Sequence, residues 1–130
     1  MPEKETLKRA RQDKRAGKAP TTQAGEFVRE EIHHVREGKH GARSTKQAIA
    51  IGLSKARRAG VKLRKPPASA KATTKRSAAS ARRRAGRKPA AKRSRAARAA
   101  LKREPRRAAS HKALARQARL AARKRRRTSA

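Results

Sequence analysis

The chain has 130 residues, with 42 lysines and arginines against 8 carboxylates, a formal charge of +34, one aromatic residue and no cysteine. Soluble domains carry about 25% charged residues with the signs nearly balanced, so a polycation this dense repels itself and attracts any polyanion. The composition excludes disulfides and thiolate metal sites, no apolar run nears the roughly 18 residues of a membrane-spanning helix, and charges from Glu3 onward leave no signal-peptide core.

The first predicted helix covers residues 3–16. Pro2 suits a first helical turn, Glu3 and Glu5 complement the positive end of the helix dipole, and Gly17 followed by Pro20 ends the run. Only Leu7 and a few alanines offer it anything to bury. A second helix is predicted over residues 22–37, with Ala24, Phe27, Val28, Ile32 and Val35 on one face at 3.6-residue periodicity and Gly38 as its stop.

The third helix, residues 45–59, has the clearest punctuation. Ser44 and Gln47 have the spacing of a capping box, and Gly60 stands where a helix-ending glycine belongs. Ala48, Ile49, Gly52, Leu53, Ala56 and Ala59 share one arc of its wheel, and their small side chains let a neighbouring helix approach closely. The second and third helices therefore read as an antiparallel hairpin joined by GKHGAR. A lone core below roughly 40 residues is seldom sufficient. The hairpin thus needs the first helix as a third partner or a second copy of itself, and Ile51, off the apolar arc between Lys55 and Arg58, favours a homodimer contact.

Beyond residue 65 the chemistry changes. Residues 1–65 hold 18 basic and 7 acidic residues, whereas residues 66–130 hold 24 basic residues and one acid, Glu104. Every Phe, Ile and Val precedes Pro66, and the Pro66-Pro67 pair stops a helix. With only Leu101, Leu114 and Leu120 as large apolar residues, the second half is expected to be disordered alone. Alanine and arginine are strong helix formers, so residues 90–103 and 106–127, on either side of Pro105, either become helical once phosphates remove like-charge repulsion or stay a solvated coil. The expected fold class is mainly α: a short hairpin of two to three helices in residues 1–65, then a disordered basic tail.

Candidate binding residues follow the charge. The loop before the third helix combines glycines, Lys39 and Arg43 with Ser44 and Thr45 at a helix N-terminus, an arrangement suited to phosphate. Its spacing is not that of a P-loop. A basic run, Lys55, Arg57, Arg58, Lys62, Arg64 and Lys65, continues through the end of that helix, and the tail adds Arg82, Arg83, Arg84, Arg87, Lys88, Lys92, Arg93, Arg123, Lys124, Arg125, Arg126 and Arg127. Glu30, His33, His34 and Glu37 have ligand spacing, but Glu30, His33 and Glu37 lie opposite the apolar face, so no metal or cofactor is expected. Ala48, Gly52 and Ser54 fit the turn of a helix-turn-helix, yet Arg58 stands where its recognition helix needs an apolar residue. No residue constellation supports catalysis.

The text TTQAGEFVREEIHHVREGKHGARSTKQAIAIGLSKARRAGVKL, and KQAIAIGLSKARRAG within it, resembles a small bacterial family carrying a domain of unknown function, some members of which are labelled DNA-binding or plasmid-stabilisation proteins. The tail segment RKPAAKRSRAARAALK is similar in composition to the tails of linker histones and bacterial histone-like proteins. The resemblance implies a bacterial cytoplasmic protein and supplies no catalytic residues; the charge places the expected site of action at the nucleoid. With almost no aromatic stacking platform, binding should rest on phosphates and be insensitive to sequence. The expected partner is double-stranded DNA, with compaction or bridging as the outcome; an RNA- or ribosome-associated role and a protein-interaction module of a plasmid-maintenance system are the alternatives.

Overall fold

The computed structural model describes residues 3–65, 70–87 and 90–129. Among them are six α-helices and no strand: α1 (Lys4–Arg15), α2 (Pro20–Glu37), α3 (Thr45–Arg58), α4 (Ala72–Arg83), α5 (Ala91–Lys102) and α6 (His111–Ser129), with a 3-10 turn at Arg107–Ala109 before α6. The chain is therefore mainly helical, but it is not a hairpin of two to three helices trailing a disordered tail. The Pro2 and Pro66-Pro67 signals lie outside the described residues.

Local chemistry accounts for the boundaries of the first three helices. Gly17, at φ 75°, ends α1, and Pro20 opens α2 rather than closing its predecessor. Its fixed φ and missing N–H cost nothing at a first helical position. Gly38 terminates α2 at φ 79°, with the Lys39 N–H on the His34 carbonyl and the Gly38 N–H on that of Val35, the pattern of a Schellman cap. Ser44 Oγ accepts the Gln47 N–H at 3.2 Å. Gln47 Oε1 returns to the Arg43 N–H at 2.6 Å, one residue earlier than in the usual box.

Helices α2 and α3 pack antiparallel, because Phe27 meets Ala56 at one end while Val35 meets Ala48 at the other. Gly52 fits between them against the Val28 backbone. The first core, Ala10, Ala24, Phe27, Ala56 and Leu63, is completed by Leu7, Leu53 and Val61. The second, Val35, Ala42 and Ala48, is closed by Ala108 and Ala109 of the tail. Helix α1 supplies a third side. The buried Glu30 carboxylate accepts both the Glu3 N–H and the Thr6 hydroxyl, so one α2 side chain caps the start of α1.

The tail departs from expectation because alanine, not leucine, does its packing. Ala78 and Ala81 are buried where α4 lies on α3, and the Gly86 N–H donates to the Arg58 carbonyl at 2.7 Å. Residues 101–109 strap the α2–α3 loop: the Gly41 N–H reaches the Leu101 carbonyl, the Ala42 N–H that of Pro105, and the Thr45 hydroxyl that of Ala108. Arg36 Nε donates to the Ala109 carbonyl at 2.8 Å. Helix α6 touches α3 and the 3-10 turn, whereas α5 packs on no other helix. Alanine gives up no side-chain entropy on burial and lets backbones approach, so a chain poor in large apolar residues still docks.

Candidate nucleic-acid interface

Helix α4, which packs on α3, forms a cationic groove with Lys65. Lys65, Lys75, Arg82 and Arg83 line it with Ala78 and Ala79, around a volume of about 490 Å³, and no carboxylate is among the lining residues. Beside it, Arg57 is half-buried and points Nη2 at the Arg64 carbonyl 3.4 Å away. The Nε atoms of Arg57 and Arg58 are buried with no hydrogen-bond partner among the described residues. Burial, and then the neighbouring Arg82 charge, lower the pKa of Arg57 below the ordinary arginine value. A cation made less favourable by desolvation and a like charge is stabilised by an anion.

The structure thus gathers Arg57, Arg58, Lys65, Arg82 and Arg83 from two stretches of sequence. Lys75 joins them although sequence reasoning passed over it; it stands between threonine and arginine with no local signal, and only its place on α4 brings it to the groove. Lys62, Arg64, Arg84 and Arg87 are exposed nearby in the chain. Lys88 lies outside the described residues. Lys92 and Arg93 are exposed on α5, and Arg123, Lys124, Arg125, Arg126 and Arg127 are exposed near the end of α6.

The loop proposed for phosphate is arranged differently. Thr45 is buried with its hydroxyl on Ala108, and the amides of Gly41 and Ala42 are taken by tail carbonyls. Ser44 caps α3. Arg43 is exposed, but Lys39 pairs with Glu3 at 3.3 Å and Glu37 at 3.4 Å, the hydrogen bond to Glu3 raising its pKa. The tail strap occupies the cradle that the glycines would offer an anion.

Lys55 is also engaged elsewhere. It reaches Glu31, fully buried in the middle of the α2–α3 interface, and lies 3.9 Å from Glu30. Glu31 was missed because Glu30 and His33 beside it read as facing away from the apolar stripe, whereas Glu30 is itself buried against α1. Its spacing of four from both Phe27 and Val35 was the available signal. Helix α3 runs unbroken through Gly52, which leaves no helix-turn-helix bend there.

Residues 11–67 match the model of a family of unknown function (DUF6496). No curated protein and no solved structure matches the chain. The matched region covers α2, α3 and only the end of α1, while α4, α5 and α6 lie beyond it. Among the described residues no helix is long and apolar enough to cross a membrane.

Proposed function

We propose that the protein binds nucleic acid through its phosphates, double-stranded DNA foremost, and neutralises and compacts or bridges it in the bacterial nucleoid. The observation that carries this reading is the groove between α4 and Lys65, where cations crowd without a lining carboxylate among the described residues, while beside it the Arg57 charge is disfavoured by burial and then by Arg82. Phosphates entering there offset a repulsion the fold has already built in. Exposed cations along α5 and the end of α6 extend the footprint, and contacts of this kind position a backbone without reading bases. With one aromatic residue, itself buried, base stacking contributes nothing.

The reading is tested with the full chain, a labelled duplex and a structured RNA across a salt series. Arg82→Glu with Arg83→Glu should weaken duplex binding by more than about tenfold, the scale of several lost phosphate contacts. Lys8→Glu with Arg9→Glu, the same change of net charge on α1, should cost far less. Equal losses would show that the groove has no special part. Tighter binding to the RNA at equal salt would move the protein to an RNA-associated role.

A further inference from the structure

In a chain of net charge +34, four of the eight carboxylates and three of the four histidines gather at the second half of α2, its loop and the start of α1. His34 Nε2 lies 2.9 Å from Glu3 Oε1, and His40 Nε2 lies 3.1 Å from Glu31 Oε2. The His34 and His40 side chains are 12% and 11% exposed and Glu31 is fully buried. The two imidazoles meet edge to face with centroids 5.9 Å apart.

His40 Nδ1 lies 2.8 Å from the Gly41 carbonyl oxygen. A carbonyl only accepts, so Nδ1 carries the hydrogen, and in the neutral ring Nε2 is left as a bare lone pair. That lone pair faces Glu31 Oε2, which is buried and has no hydrogen-bond partner despite its proximity. Two acceptors opposed in a buried site call for either a proton or a metal ion between them. A backbone carbonyl fixing one ring nitrogen while the other points at the ligand is also how metal-binding histidines are held.

We propose that Glu31, His34 and His40 bind a divalent transition metal of the zinc class. Their ligand atoms all lie within 4.8 Å of one another, so side-chain rotations suffice to bring them to about 2.0–2.2 Å from a common ion. Lys55 holds Glu31 through Oε1, which leaves Oε2 for the metal. Glu3 Oε1, beside His34 Nε2, or a water completes four-coordination. The ion ties α2 to the loop on which residues 101–109 sit, making it a structural staple.

The full chain, stripped with chelator, is titrated with Zn²⁺ by calorimetry and with Co²⁺ by visible absorption. One equivalent of Zn²⁺ should bind and displace Co²⁺ from a complex with the strong d–d absorption of tetrahedral coordination. His40→Ala should weaken zinc binding by more than about tenfold, and His34→Gln should do the same if the alanine variant unfolds. His33→Ala, whose exposed ring pairs with Glu37, should leave binding unchanged. Lack of stoichiometric binding by the unmodified chain overturns the site, as does equal weakening in His33→Ala and His40→Ala. A Co²⁺ spectrum of weak octahedral type would do so too, marking loose surface coordination.

Discussion

Gly52 shows how one missing methyl group sets a helix spacing. A Cβ there would lie 2.6 Å from Val28 Cα and 2.9 Å from its amide nitrogen, both backbone atoms. Gly52→Ala gains about 1 kcal/mol in helix propensity, but the clash forces α2 and α3 apart, at a typical cost of about 1–3 kcal/mol for overpacking. We expect net destabilisation, read as a lower urea midpoint. Gly25→Ala is the control: it sits inside α2 with open space around it, so there propensity wins and the midpoint should rise. At the same scale Glu3 links stability to pH. Its hydrogen bonds with His34 and then Lys39 hold its carboxyl below the usual glutamate range. A depressed carboxyl contributes stability above its unfolded value of about 4.3, and that contribution is lost as pH falls through the folded value. Protection factors of the α1 amides should therefore fall on acidification below about pH 4. Glu3→Gln should flatten that response; an unchanged profile would refute the linkage.

Among the elements, the strap of residues 101–109 depends most on a single contact surface. Gly41 brings its backbone against Glu104 so closely that an added Cβ would overlap the Glu104 carbonyl. Gly41→Ala should release the strap and with it the bonds of Thr45 to Ala108 and Arg36 to Ala109. Trypsin cleavage at Arg106 and Arg107 should then accelerate while the Phe27 core stays protected. Cleavage no faster than in the unmodified chain would mean the strap is held by other contacts. The helices themselves were legible because their signals are local: Gly38, Ser44, Gln47 and Gly60 act on bonds within a turn of where they stand. Tail docking was not legible. Ala78, Ala81, Ala108 and Ala109 look like any other alanines in the second half, and only the surface each meets distinguishes them.

For the whole molecule the governing quantity is charge against salt. If about 10 phosphates are neutralised, log affinity for duplex DNA should fall with log salt at a slope near −9. A slope several-fold shallower would confine binding to a few cations and take the tail helices out of the interface. Composition alone called for a polyanion partner, and the 3.6-residue patterning of residues 20–60 specified where helices form, because both depend on residue identity and near neighbours. Which cations act together depended on tertiary structure. Docking α4 on α3 aligns Lys65, Lys75 and Arg82 into one groove, while packing α1 and α3 on α2 turns Glu30, Glu31 and Lys55 inward. Helical periodicity says which residues share a face, but a carboxylate becomes buried only when another element covers that face, and the covering element comes from elsewhere in the chain.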